Sequence, residues 1–197
     1  MTSATSDRTL RRQGRETRDR LLDAAVEALG VHGYQAARVD DVVDVAGVSH
    51  GSFYLYFSNK EELFAALAQR CAAEMQLLAD RLATADLTDL VAVRAWVVEF
   101  LALYRSHGVV IRAWAEGQVV DPALVALGRA SFARMTDALA PALAPTAPGA
   151  PALRTAALLG MIERSAYLTD SRDVGIGDEV VADTLARLMV RGFFVRR

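Results

Sequence analysis

The sequence predicts an all-α protein, and three observations support this. From about Arg15 onward, apolar residues recur every three or four positions, which is the spacing of one helix face. No stretch alternates between apolar and polar residues for long enough to predict a strand. Glycine and proline residues separate the periodic segments, and a proline-rich loop is expected at 144–151. The length of 197 residues suits either one large domain or one small and one medium domain.

The first fourteen residues show no apolar periodicity and are expected to form a flexible basic arm. Residues 1–20 hold six arginines against three acidic residues. This segment is therefore either a solvated tail or an arm that touches nucleic acid, and the charge pattern alone leaves both open.

Each remaining segment predicts a helix whose bounds come from capping and breaking residues. Gly30 and Gly33 are expected to end the first helix. Ser49 and Ser58 are expected to cap the third and fourth helices, because a serine oxygen can accept a free N–H of the first helical turn. In order, the helices are expected near residues 15–29, 39–46, 49–57, 58–82, 88–106, 108–117, 121–143, 152–169 and 178–193.

Composition and motifs narrow the classes of function. The net charge of −2 gives no sign of a polyanion partner, and a single cysteine excludes an intramolecular disulfide or a cysteine-rich zinc site. The three histidines are scattered, and no nucleophile or phosphate-binding motif is present, so we expect neither an enzyme nor a cofactor or metal site. Residues 1–20 are polar, and the long uncharged run at 138–153 contains four prolines, so we expect a soluble cytoplasmic protein without membrane contact.

Residues 38–60 carry the most informative pattern in the chain. Val43 lies four residues before Gly47 and Phe53 lies six after it, so two short helices can meet at a tight turn with these apolar side chains packed together. This spacing predicts a helix-turn-helix, a unit that lays its second helix in the major groove of DNA. Groups suited to base edges, close backbone approach or phosphates follow the turn: His50, Gly51, Ser52, Tyr54, Tyr56 and Lys60.

The run Ala-Gly-Val-Ser-His-Gly-Ser-Phe-Tyr-Leu-Tyr-Phe-Ser-Asn-Lys at 46–60, followed by Glu-Glu-Leu-Phe, resembles the DNA-binding signature of TetR-family transcriptional regulators. Gly33-Tyr34 ahead of Val-Asp-Asp-Val at 39–42 matches as well, and the resemblance covers about residues 15–68. It implies a bacterial homodimer with a DNA-binding domain at 15–60 and a ligand-binding and dimerisation domain at 61–197. The implied partners are a palindromic operator in double-stranded DNA and a small-molecule effector.

The resemblance also implies which residues contact the operator: Arg38, Ser49, His50, Gly51, Ser52, Tyr54, Tyr56 and Lys60. Phe53 and Phe57 are assigned to the domain core instead. Two positions depart from the family pattern. Val43 stands where alanine is frequent, and Arg38 stands where many members have a threonine that contacts phosphate. Arg38 can contact phosphate too, or it can pair with Asp40 or Asp41.

In the second domain, aromatic and methionine side chains recur at helical spacing, which is typical of an ordinary core. The resemblance implies a cavity between these helices, with a hydrophobic or amphipathic ligand. Glu99, Glu116 and Glu163 are candidate polar anchors within it. The expected lining residues are Cys71, Met75, Trp96, Phe100, Tyr104, Trp114, Phe132, Met135 and Met161.

The last two helices are the candidates for the dimer interface, because two apolar helices from each protomer can pair as a four-helix bundle. The residues expected there are Leu158, Ile162, Ala166, Val181, Leu185 and Leu188. The expected function is a regulator, most simply a repressor, that leaves its operator when the ligand binds. The alternative is a helical repressor that binds DNA without any ligand.

Overall fold

The structure, a computed structural model, describes residues 3–143, 151–171 and 175–194. Within these ranges it consists of helices and has no strand, so the all-α prediction is confirmed. None of the described helices is both long and apolar enough to cross a bilayer. The helices are α1 Ser3–Ala36, α2 Val39–Ala46, α3 His50–Tyr54, α4 Lys60–Thr84, α5 Leu90–Ala115, α6 Pro122–Leu143, α7 Pro151–Ser171 and α8 Asp178–Met189, followed by a π-helical turn Val190–Phe194.

Helix α1 begins much earlier than the sequence predicted, so most of the expected flexible arm is helical. Arginine and glutamine are good helix formers, and the exposed pair Arg12–Glu16, at 3.4 Å, is spaced to support a helix. Of the two glycines expected to end the helix, Gly30 stays helical, whereas Gly33 breaks α1 with a φ of 78°, and a helical turn continues to Ala36. Residues 144–150 of the expected loop lie outside the described ranges.

The N-cap of α3 is the residue that the sequence predicts, whereas the N-cap of α4 is a different residue. Ser49 caps α3 as predicted, its hydroxyl accepting the backbone N–H of Ser52 at 3.1 Å. The cap of α4 is Asn59 instead of Ser58, because the Asn59 amide oxygen reaches the backbone N–H of Glu62 at 2.8 Å. Ser58 contributes its backbone N–H, which donates to the Glu62 carboxylate at 2.7 Å.

Helix α5 runs unbroken through Gly108, where the sequence predicted a boundary between two helices. The backbone there is helical, and the absent side chain leaves room for a neighbour. A Cβ at Gly108 would lie 2.9 Å from Cε1 of the Tyr104 ring, so glycine serves packing here and not chain reversal.

Two hydrophobic cores share helices α4 and α5. The N-terminal core joins α1, α2 and α3 to α4 as far as Cys71, and it is completed by the α5 residues Val109, Val110 and Ala113. The C-terminal core joins the rest of α4 and α5 to α6, α7 and α8. Met75 and Ile111 pack against both cores. The N-terminal core therefore extends past the boundary expected at residue 60, because α4 and α5 supply apolar surface that α1, α2 and α3 pack against.

Candidate nucleic-acid interface and ligand cavity

The turn between α2 and α3 has the geometry that the spacing predicted. Gly47 adopts the left-handed conformation, with φ 62° and ψ 39°, and donates its backbone N–H to the Asp44 carbonyl at 3.2 Å. Val43 and Phe53 are both buried in the N-terminal core, one from each side of the turn. The two helices thus form the helix-turn-helix, with the opposite face of α3 left in solvent.

The start of α3 presents small polar groups to that solvent-exposed face. The hydroxyls of Ser49 and Ser52 lie 3.1 Å apart, and exposed His50 places Nε2 3.2 Å from an Asp40 carboxylate oxygen. Gly51 is exposed between them, and a Cβ there would meet only the Ser49 hydroxyl, at 3.7 Å. This surface can therefore approach another molecule closely through both backbone and hydroxyl groups.

The end of α3 exposes two side chains of different character. Tyr54 is 58% exposed, and its hydroxyl makes no hydrogen bond within the described part of the chain. Leu55 is 80% exposed, a position that the sequence reasoning did not single out. Tyr56 is partly buried against the N-terminal core, and its hydroxyl would lie 3.7 Å from a Cβ at Gly14 in α1. Tyr54 is therefore the more exposed of the two tyrosines.

Arginine side chains border this surface. Arg18 of α1 places its guanidinium 5.3 Å from the centre of the Phe57 ring, which adds a cation beside α3 that the motif did not include. Arg38 is exposed and uses its backbone N–H, at 2.7 Å, to bond Asp41. Its guanidinium forms no ion pair with Asp40 or Asp41, and Asp40 instead lies against His50.

Lys60 is engaged inside the protein, although it opens α4 as the sequence predicted. Its Nζ donates to the carbonyls of Tyr34 and Gln35, at 3.1 and 3.2 Å, and lies 5.5 Å from the centre of the Tyr34 ring. A cation at the end of α1 satisfies carbonyls that lack helical partners and complements the negative helix terminus. One of its three N–H donors remains for a contact outside the chain.

A cavity of about 660 Å³ lies between α4, α5, α6 and α7. This volume is within the range of small-molecule sites, and the walls are almost wholly apolar. Five of the expected residues line it, namely Met75, Phe100, Trp114, Phe132 and Met135. Of the three candidate anchors only Glu163 lines it, because Glu99 pairs with Arg81 at 2.9 Å and Glu116 accepts from Gln118 at 2.6 Å outside the cavity.

The other four expected lining residues lie elsewhere, so these assignments are corrected. Cys71 is buried in the N-terminal core, where burial raises its pKa to about 12. Trp96 faces α4 and donates to the Leu78 carbonyl at 3.1 Å. Tyr104 lies behind the wall and donates to Glu163 at 3.0 Å, while Met161 packs against the C-terminal core. Helical spacing identified apolar positions but not which neighbouring space each one faces.

The expected dimer residues require a similar correction. Five of them are buried within the C-terminal core of the chain itself, which leaves them unavailable to a partner: Leu158, Ile162, Ala166, Val181 and Leu185. Leu188 alone points outward, with 49% of its surface exposed. Apolar periodicity locates the face that is buried most deeply, and in α7 and α8 that face is turned toward the chain's own core.

Comparison with known proteins agrees with this architecture. The family model for "Bacterial regulatory proteins, tetR family" matches residues 21–67, which span α1 to α4. The transcriptional repressor AcnR of Corynebacterium diphtheriae is 32% identical over 133 residues, covering 61% of this chain and 68% of AcnR. The segments matched in the first two curated relatives are shorter, at 30% and 26% of their lengths.

Solved structures share the fold over nearly the whole chain. LfrR from Mycobacterium smegmatis, solved with proflavine, has a TM-score of 0.69 at 20% identity and covers 92% of this chain and 98% of that one. FadR from Bacillus subtilis, solved with stearoyl-CoA, has a TM-score of 0.62 at 19% identity and covers 88% and 98%. With the helix-turn-helix geometry, the family match and the relation to AcnR, the chain belongs to the TetR family of transcriptional regulators.

Proposed function

We propose that the protein is a repressor that binds a palindromic operator as a homodimer and leaves it when an apolar small molecule fills the cavity. Residues 15–60, completed by the first part of α4, form the DNA-binding unit in this proposal. The remainder of the chain to 197 holds the effector and the dimer interface. The proposal rests on one observation: residues of the cavity wall also pack in the N-terminal core, which holds the helix-turn-helix.

The chemistry of α3 supports DNA binding. Between residues 45 and 60 the only charged side chain is Lys60, so no acidic group on this segment opposes a phosphate. The free hydroxyl of Tyr54 and the hydroxyls at Ser49 and Ser52 are placed to donate to phosphates or base edges. His50 can reach the operator only by giving up its contact with Asp40.

The shared wall supports control of DNA binding by a ligand. Met75 and Ile111 line the cavity and also pack against the N-terminal core, and Val119 is a member of that core. Beside Val119, the carbonyl of Gln118 accepts a hydrogen bond at 3.3 Å from the side chain of Gln35, which lies at the end of α1. A ligand that displaces this wall acts directly on the packing of α1 and α4, and it releases DNA if it binds better in the displaced conformation.

The relatives support two parts of the proposal. AcnR is named as a repressor, and the structures of LfrR and FadR hold proflavine and stearoyl-CoA. The apolar cavity in this chain has room for a small molecule, which favours a ligand-responsive repressor over one that binds DNA without any effector. The proposed homodimer fits the proposed palindromic operator, because the two-fold symmetry of a dimer matches the two-fold symmetry of a palindrome.

Selection from a random duplex library tests the proposal. The purified protein is expected to enrich a palindrome, and Tyr54→Phe is expected to bind that sequence roughly tenfold more weakly, at about 1.4 kcal/mol for a lost hydrogen bond. Affinity is expected to fall steeply with salt, because phosphate contacts release counterions. Enrichment of an asymmetric sequence, or of none, contradicts the proposal.

A further inference from the structure

Two charged side chains, Arg129 and Glu163, line the cavity among the described residues, and they differ in setting. Arg129 is exposed on α6, where water solvates its guanidinium. Glu163 lies on α7 with its side chain only 21% exposed. A carboxylate that has lost most of its water requires compensation, so the partners of Glu163 decide what the cavity accepts.

The protein compensates Glu163 only in part. One oxygen accepts the hydroxyl of buried Tyr104 at 3.0 Å. Burial raises the pKa of Tyr104 above its ordinary value, so this donor brings a hydrogen bond without a charge. The other oxygen lies 3.9 Å from Nε of Arg164, which is beyond hydrogen-bond distance, and Arg164 is itself largely in solvent.

Arg112 is a cation on α5 that contacts an aromatic side chain. Its guanidinium lies 5.4 Å from the centre of the Tyr167 ring. Among the described residues it forms no ion pair with Glu163. One carboxylate oxygen therefore has no hydrogen-bonded cation.

The rest of the wall suits a cation with an apolar body. Phe100, Trp114 and Phe132 line the same cavity, and aromatic faces attract positive charge as well as apolar surface. The Trp114 N–H is already used, donating to the Leu124 carbonyl at 3.0 Å, so the indole offers its ring instead of a donor. An anionic ligand would meet the carboxylate of Glu163 in an apolar space, which disfavours it.

We propose that the effector of this protein is an amphipathic organic cation, with an apolar body in the cavity and a positively charged nitrogen against Glu163. The inference rests on the proposed effector role of the cavity. The positive charge of the ligand is inferred from the partly compensated carboxylate of Glu163, whereas the proposed function requires only that an apolar molecule fills the cavity.

Three probes with the same decyl chain test this: decyltrimethylammonium, 1-decanol and decanoate, each below its aggregation concentration. Binding is measured by calorimetry and by fluorescence of Trp114, which lines the cavity while Trp96 does not. The cation is expected to bind about tenfold more tightly than the neutral and anionic probes. Glu163→Gln is expected to remove that preference while leaving 1-decanol within about twofold, which also reports that the cavity is folded.

Glu116→Gln is the matched control, since it removes a carboxylate that lies outside the cavity. It is expected to leave the affinity for decyltrimethylammonium within about twofold. If decanoate or 1-decanol binds most tightly to the wild type, the cation inference is overturned and the proposed function stands. If Glu163→Gln keeps the cation preference, the inference is also overturned. If none of the three probes binds, the cavity is not an effector site and both proposals fall.

Discussion

Lys60 shows how a single side chain can serve the fold at a position that the motif assigns to DNA. Its Nζ bonds two carbonyls at the end of α1, so it joins the start of α4 to the segment that leads into the helix-turn-helix. A local sequence motif marks the lysine but contains no signal for the carbonyls that it reaches.

We expect Lys60→Met to lower the free energy of unfolding by about 1–3 kcal/mol, because it removes two charge-assisted hydrogen bonds and leaves their acceptors unpaired. Urea denaturation of the wild type and the variant measures this. Tyr54→Phe is the control, since the Tyr54 hydroxyl has no partner in the described chain and its loss should leave stability unchanged. Equal stability of Lys60→Met and wild type would show that the lysine serves DNA alone.

Glu62 ties the turn before α4 to the helix start, and this bond should depend on pH. The Ser58 backbone N–H that it accepts holds the pKa of Glu62 below its ordinary value. A lowered folded-state pKa contributes stability that is complete above the unfolded value of about 4.3 and is lost as pH falls through the folded value.

We therefore expect Glu62→Gln to lower the melting temperature at neutral pH more than Glu61→Gln does. Both variants remove one charge from the first turn of α4, but Glu62 also receives the Ser58 bond. The gap between Glu62→Gln and the wild type should narrow below about pH 4. A difference in melting temperature that grows as the pH falls would show that the ionised Glu62 carboxylate does not stabilise the folded state.

At the scale of elements, Gly108 decides how α5 packs. Alanine is the better helix former by about 1 kcal/mol, yet a Cβ here would collide with the buried Tyr104 ring. Overpacking of this kind costs about 1–3 kcal/mol. We expect Gly108→Ala to destabilise the protein, measured by thermal unfolding. Gly30→Ala, in α1 with open space around the added Cβ, should stabilise it. If both substitutions stabilise the protein, the Tyr104 ring moves away from the added Cβ without a measurable loss of stability.

The elements also show which structural features the sequence predicts and why. Gly47 and Ser49 were identified correctly because a left-handed turn and a serine cap are set by residues close in sequence. The helix boundary expected between 106 and 108 was wrong, because α5 continues through Gly108. Ser58 was expected to cap α4, but the backbone conformation makes Asn59 the cap.

The candidate site divides in the same way. The exposed face of α3 follows from the helix-turn-helix spacing, so Tyr54 was found. The exposure of Leu55 and the approach of Arg18 to Phe57 were not expected, since an exposed leucine carries no motif and Arg18 reaches Phe57 only through the tertiary fold. Five of the expected residues line the cavity and four lie elsewhere, because helical period reports burial but not the space that a side chain faces.

At the scale of the whole molecule, we expect a dimer to form through the outward faces of α7 and α8. On α8 this face carries Val180, Thr184 and Leu188, and on α7 it carries Leu168. We expect Leu188→Asp to give a folded monomer in analytical ultracentrifugation, since a charge would be buried against the partner. Val91→Asp, at an exposed position on α5, should leave the assembly unchanged. A dimer that survives Leu188→Asp would place the interface elsewhere.

Ligand binding in the cavity and operator binding are expected to disfavour each other through the wall that the cavity shares with the N-terminal core. Linkage measures this directly: the tightest of the three decyl probes is titrated into the protein with and without its selected operator, in the wild type and in Ala133→Trp, which fills the cavity. Ala130→Trp, on the same helix but outside the lining, is the control.

We expect the operator to weaken probe binding to the wild type by about fivefold or more, and the probe to weaken operator binding by the same factor. Ala133→Trp should bind the operator but lose the probe, while Ala130→Trp should behave as the wild type. Equal probe affinity with and without operator would show that the cavity does not control DNA binding, because a ligand that does not distinguish the two states cannot release DNA.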